Sequence, residues 1–136
     1  MDQYKVFVYG TLRPGQGNHQ RLLADLTDQE QPATAPGVAL FGTSFPYAVP
    51  SPGARAVGSL ITVRPALYND VLNDLDRLEG HCPHRPDRSH YVRATRTVIA
   101  AGGAPHTAWI YLAGPSVDHA RMRRIPGDDW LLTTSP

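Results

Sequence analysis

Tyr4-Lys5-Val6-Phe7-Val8-Tyr9 is a β-rich run that empties into Gly10-Thr11-Leu12-Arg13-Pro14-Gly15, a loop with two glycines and a proline. A strand that delivers the chain into a glycine-rich loop can aim successive backbone N–H groups into one cavity, making an anion or oxyanion nest. On spacing alone the simpler reading is an ordinary turn. It is not a P-loop, because the Gly-Lys-Ser/Thr element is missing.

Outward from this strand, Asn18 can cap a short helix carrying Leu22, Leu23 and Leu26. Val38 to Phe41, Tyr47 to Val49 and Ala56 to Val63 read as strands separated by Gly and Pro turns. A second helix is expected from about Pro65, a good first-turn residue, to Glu79, with Gly80 as its stop. His81 to Ser89 is a loop rich in His, Pro and Arg. Tyr91 to Ala100 and Thr107 to Leu112 are expected to form a hairpin about the Gly102-Gly103 turn. From Gly114 onward the chain reads as irregular. Strands interrupted by two helices, with short connections, predict an α+β fold whose one curved or closed sheet has helices outside.

Composition narrows the class. The 136 residues fit a single domain over 1–136, large enough to bury roughly two thirds of the chain surface without staples. A hydrophobic content of 41% argues against a disordered tail. The net charge of +1 supplies no global field for nucleic acid or an anionic membrane. Arginine outnumbers lysine 12 to 1, so Schiff-base chemistry has only Lys5, in an expected strand. The arginines are scattered rather than clustered, which does not describe a phosphate site. One cysteine, Cys82, excludes an internal disulfide framework and a cysteine-built zinc finger. No apolar run approaches the roughly 20 residues of a membrane span, and the N-terminus lacks a signal-peptide shape. A cytoplasmic protein, monomer or homodimer, is expected.

Glu30 and Glu79 are the only glutamates. On the second helix, at about 100° per residue with Leu67 at zero, Leu78 falls near 20°, Val71 near 40°, Leu75 near 80° and Leu72 near 140°. Glu79 falls at about 120°, on the apolar face, where a carboxylate costs several kcal/mol unless paired or protonated. It also occupies the last turn, where the helix dipole prefers a cation. Both effects raise a carboxylate pKa, as a general acid/base near neutral pH requires. A frayed last turn with Glu79 swung into water is the other open outcome.

His81, Cys82, His84 and His90 are a possible metal cluster, but zinc needs three or four convergent ligands and a solvated loop is the expected state. No Gly-x-Ser-x-Gly elbow is present. Trp109 alternates sensibly within its strand, whereas Trp130 in an irregular tail is a candidate cover for a pocket.

Val6-Phe7-Val8-Tyr9-Gly10-Thr11-Leu12 resembles the opening of the gamma-glutamylcyclotransferase-like superfamily, a strand ending in Tyr-Gly-Ser/Thr-Leu. Leu75-Asp76-Arg77-Leu78-Glu79-Gly80 is similar to its Leu-Asp-x-Leu-Glu-Gly helix end. Tyr91-Val92-Arg93 and Ala108-Trp109-Ile110-Tyr111 follow in family order. Gly127-Asp128-Asp129-Trp130 looks like the Gly-Asp-Trp ending of the bacterial, avirulence-induced-gene-like branch, with one extra Asp.

The resemblance implies a small mixed β-barrel with flanking helices. It also implies cyclisation of a γ-glutamyl amide to 5-oxoproline with release of an amine, a transferase or lyase chemistry. Glu79 matches the family's catalytic glutamate, and Tyr9, Gly10, Thr11 and Leu12 match the loop that holds the glutamyl moiety. Tyr91 and Tyr111 complete the implied substrate-binding set. No cofactor, metal, nucleic acid or membrane partner is implied. A non-catalytic small-molecule binder on the same fold is the alternative.

Overall fold

The computed structural model describes residues 3–10, 13, 23, 25–42, 46–80, 91–115 and 117–130. Five strands close into a barrel: β1 (Lys5–Val8), β2 (Thr27–Phe41), β3 (Tyr47–Val63), β4 (Tyr91–Ala100) and β5 (Pro105–Ala113). Their order is β1-β3-β2-β4-β5, with β5 returning to β1. Every neighbouring pair in that ring is antiparallel except β1 with β5, where Lys5 pairs Ala108 and Val6 pairs Trp109 in parallel. A further parallel contact joins Ala48 to Leu112. The barrel is therefore mixed, and closure leaves the central strands no free edge.

The period of two along each strand sorts side chains between two cores. Phe7 and Tyr9 join Leu40, Leu60, Val98, Ile110 and Leu112 in one cluster. Val6 and Val8 join Ile61, Val63 and Tyr111 in the other, beneath the helix α1 (Tyr68–Glu79). Tyr68, Val71, Leu72 and Leu75 are the buried residues of α1. Gly80 ends the helix in the left-handed region at φ 68°, and its N–H caps the carbonyls of Asp76 and Arg77.

Several expectations need correction. The three strands expected between residues 38 and 63 are parts of two longer ones, and β2 begins as early as Thr27. The stretch 27–37 carries little strand signal because it is polar and contains two prolines. Its inward positions are the small residues Ala33 and Ala35, which are buried but carry little hydrophobic signal. Pro36 lies at a break in register, between the pairs Pro36–Arg55 and Val38–Pro50, where a missing N–H does least harm.

Pro65–Leu67 forms a 3-10 turn, so α1 starts at Tyr68. Leu26 lies in a bend leading into β2 rather than on a helix, and its N–H donates to Leu23 O at 3.0 Å. Asn18 and Leu22 lie outside the described residues. Leu78, placed at the margin of the apolar arc, is 37% exposed. Trp130 is a member of the first core cluster. The Gly102-Gly103 hairpin joins β4 and β5 as expected, with Gly103 N–H donating to Ala100 O at 2.8 Å.

No helix among the described residues is long and apolar enough to cross a membrane.

Candidate active site

The buried arc of α1 has its centre near 90° on the scale that puts Leu67 at zero, so Glu79 lies only about 30° from the middle of the face. The helix is continuous through Glu79 and ends on the Gly80 cap. Glu79 is consequently held against the barrel, and burial raises its carboxyl pKa from 4.5 to about 7. Among the described residues no hydrogen bond or ion pair relieves that carboxylate.

Three tyrosines, Tyr9 just past β1, Tyr91 of β4 and Tyr111 of β5, feel its charge. The charge of Glu79 reaches the hydroxyls of Tyr9, Tyr91 and Tyr111. Burial is the main reason all three hold their protons more tightly than a free phenol, and the Glu79 charge adds to it. Each phenol proton also has an acceptor in the protein. Tyr9 donates to the backbone carbonyl of Tyr111. Tyr91 donates to Pro46 O at 2.8 Å and stacks on Tyr47 with ring centroids 4.7 Å apart. Tyr111 donates to Asp76 Oδ1 at 2.6 Å.

Behind Tyr111 lies a polar network that the sequence did not announce. Arg93 and Tyr111 are directly opposite on β4 and β5, and Asp76 of α1 meets both. Arg93 approaches side-on, Nε to Oδ1 at 2.8 Å and Nη2 to Oδ2 at 3.0 Å, while its guanidinium covers Trp109 at 4.3 Å. Trp109 Nε1 donates to the Tyr68 hydroxyl at 3.0 Å, and that hydroxyl donates to Tyr4 O at 2.6 Å. Helix, hairpin and first strand are thereby locked together beside Glu79. The available signal was Asp76 at about 180°, an acid at the rim of an apolar face; nothing in the sequence paired it with Arg93.

The loop after β1 is described at Tyr9, Gly10 and Arg13; Thr11 and Leu12 lie outside the described residues. Arg13 N–H donates to Gly10 O at 3.0 Å, so this donor is used within the turn. A Cβ on Gly10 would stand 2.7 Å from Pro46 Cγ, which by itself accounts for glycine there. Pro46 thus bridges the loop and Tyr91.

The tail closes over the same loop. Arg13 pairs with Asp129 at 2.7 Å, and buried Asp128 accepts from Leu40 N–H at 3.0 Å and from Arg124 Nη2 at 2.9 Å. Among the described residues no three His, Cys, Asp or Glu side chains converge as a metal site. His81, Cys82, His84 and His90 lie outside the described residues.

Of the site residues named from sequence, Thr11 and Leu12 lie outside the described residues. Glu79, Tyr9, Tyr91 and Tyr111 come together, with Gly10 next in chain to Tyr9 and packed against the Pro46 that holds Tyr91.

Solved structures share this architecture. An Arabidopsis thaliana protein solved in solution is 23% identical, with a TM-score of 0.68 over 96% of this chain and 82% of its own. An AIG2-like protein of Mus musculus is 20% identical, with a TM-score of 0.69 over 90% of this chain and 85% of its own. A structure described as a gamma-glutamyl cyclotransferase is 16% identical, with a TM-score of 0.60 over 89% of this chain and 69% of its own. At these identities the likeness is one of fold. No curated protein matches the sequence. The family model described as gamma-glutamyl cyclotransferase, AIG2-like, however, matches residues 6–132, nearly the whole chain from β1 to beyond Trp130, and the protein belongs to that family.

Proposed function

We propose that the protein cyclises a γ-glutamyl amide to 5-oxoproline and releases the free amine, with Glu79 as general acid/base. The observation that carries this reading is Glu79 itself, a carboxylate with no hydrogen-bond or ion-pair partner among the described residues, whose pKa burial raises to about 7. Near neutral pH such a group is populated in both protonation states, so it can remove a proton and return it.

The steps conserve atoms and charge. Ionised Glu79 takes a proton from the substrate α-ammonium. The freed amine attacks the γ-carbonyl carbon, forming the ring N–C bond and moving the carbonyl electron pair onto oxygen. Collapse re-forms the carbonyl and breaks the amide C–N bond, with Glu79 giving its proton to the departing nitrogen. Glu79 then takes the second proton that the ring nitrogen must lose and passes it to the released amine, which leaves as its ammonium ion. Nucleophile and electrophile belong to one molecule, so the protein need supply neither a nucleophile of its own nor a redox group. Holding the folded-back conformer accounts for much of the acceleration. Tyr9, Tyr91 and Tyr111, with the loop Gly10-Thr11-Leu12, are the residues assigned to hold the glutamyl part.

The test is incubation with a panel of γ-glutamyl amides, reading 5-oxoproline by mass spectrometry. Release from at least one amide that is lost in Glu79→Gln supports the assignment. Saturable binding with no 5-oxoproline from any of them makes the protein a binder instead.

A further inference from the structure

Two arginines of this protein meet carboxylates with different parts of the guanidinium. Arg93 uses its side edge: Nε lies 2.8 Å from Asp76 Oδ1, and Nη2 donates to Oδ2 at 3.0 Å. Arg13 uses the opposite nitrogen, Nη1, which donates to Asp129 Oδ1 at 2.7 Å. The buried Nε of Arg13 has no hydrogen-bond acceptor among the described residues. A buried charged donor without an acceptor is costly and calls for a partner from outside the chain.

Arg13 stands in the loop to which the glutamyl part is assigned. Its backbone N–H is spent on Gly10 O at 3.0 Å, so its donors for a ligand are those of the side chain. The turn closed in this way packs at Gly10 against Pro46, whose carbonyl accepts the Tyr91 proton. The Arg13 side chain is only 13% exposed. Asp129, which holds it, comes between buried Asp128 and the core residue Trp130, so the guanidinium is tied to an anchored stretch of the tail.

We propose that Arg13 binds the α-carboxylate of the γ-glutamyl substrate on the Nε edge of its guanidinium, while Nη1 stays on Asp129. This rests on the function assigned above and names the substrate group that the loop reads. Every γ-glutamyl amide carries that carboxylate whatever its amine, so a fixed cation suits the invariant part of the substrate. Pairing along the Nε edge also orients a carboxylate, as Asp76 is oriented on Arg93. Neutralising the carboxylate beside the α-ammonium makes that ammonium a better acid, which helps Glu79 to take its proton. Other cations are engaged elsewhere: Arg93 by Asp76, and Lys5 by Thr62 Oγ1 at 2.8 Å.

The experiment compares two lactams on the intact protein: 5-oxoproline, which carries the carboxylate, and 2-pyrrolidinone, the same ring without it. By NMR titration, wild type should bind 5-oxoproline about a hundredfold tighter, the scale of hydrogen bonds to charged groups. In Arg13→Gln the preference should fall to within about threefold, because the charged donor is gone. Arg13→Lys keeps a cation for Asp129 but lacks the Nε–H, and should retain at most about a tenth of the preference. A loosened loop weakens both lactams alike and leaves their ratio standing, so the ratio separates binding from scaffolding. The Nε–H resonance of Arg13 in wild type should shift with 5-oxoproline and stay in place with 2-pyrrolidinone. If neither variant folds, that resonance decides alone.

No preference in wild type, a preference that survives in Arg13→Gln, or an Nε–H indifferent to 5-oxoproline overturns the proposal. So does an equal shift with acetate at the same concentration, which would mark a general anion site. None of these readings depends on turnover. A chain that forms no 5-oxoproline yet shows the Arg13-dependent preference refutes the assigned reaction and keeps the role of Arg13. A chain that forms it while Arg13→Gln retains the preference does the opposite.

Discussion

Two acids of this molecule, Asp128 buried and Glu79 half-buried, live under opposite rules. Asp128, in the tail, accepts hydrogen bonds from Leu40 N–H and from both Nε and Nη2 of Arg124. Glu79, at the end of α1, accepts none from the described residues. A carboxylate taken out of water is neutralised by partners or by a proton. Asp128 takes the first route and fastens the tail to β2; Glu79 takes the second and gains chemistry. Burial says little about an acid's role until its partners are counted.

The largest effect that can test this contrast is catalytic. Glu79→Gln should lower 5-oxoproline formation at least about a thousandfold, the scale of a lost general acid/base, with cooperative unfolding preserved. Activity within threefold of wild type would remove Glu79 from the mechanism. Asp128→Ala should do the reverse: a loss of about 3 kcal/mol in stability, because Leu40 N–H is left buried without an acceptor, and little change in kcat of the folded fraction. Urea unfolding together with turnover separates the two roles, and a variant as stable as wild type would dissolve the contrast.

The pH dependence sharpens it. The folded pKa of Glu79, about 7, lies above its reference value of 4.5, so the folded state binds the extra proton between them. Stability contributed by that proton is full below about pH 4.5 and is lost as pH rises through 7. Wild type should therefore lose about 2 kcal/mol more than Glu79→Gln between pH 5 and pH 8, measured by urea midpoints. Equal slopes would mean that Glu79 is solvated. The acidic limb of kcat/KM should lie near the same value and survive replacement of each histidine by Gln.

Gly10→Ala should cost about 1 kcal/mol from contact with Pro46, since the added Cβ meets a stiff ring. Any rise in KM beyond what the folded fraction explains reads the loop's part in binding. The smallest expected effect is none: dialysis against a chelator should leave turnover unchanged, since proton transfer by Glu79 calls for no Lewis acid. A drop restored by zinc would return attention to His81, Cys82, His84 and His90.

Local signals carried far in this sequence where each residue's environment is set by its own element. The opening strand just before Tyr9, the Gly80 stop and the misplaced acid at Glu79 are all local, and all three were legible. Thr27 to Gly37 was not, because alanines facing a narrow barrel bury well without a strong hydrophobic pattern. Asp76 and Arg93 escaped for another reason. Their pairing exists only because α1 crosses the β4–β5 hairpin, and no spacing along the chain encodes that crossing.

The parallel seam between β1 and β5 has a bearing on how the protein acquires its activity. Tyr9 and the Tyr111 carbonyl to which it donates are 102 residues apart, whereas the antiparallel partners of the same two strands, β3 for β1 and β4 for β5, lie closer along the chain. Contacts this distant are slow to form, because loop-closure entropy is lost before they return any stability. The seam is therefore a natural late event in folding. It is also what brings Tyr9 to Tyr111 and both to Glu79, so a chain halted before closure can be helical and largely sheet-paired yet inert. During refolding, recovery of 5-oxoproline formation should lag behind recovery of the circular dichroism signal, with the seam as the final latch.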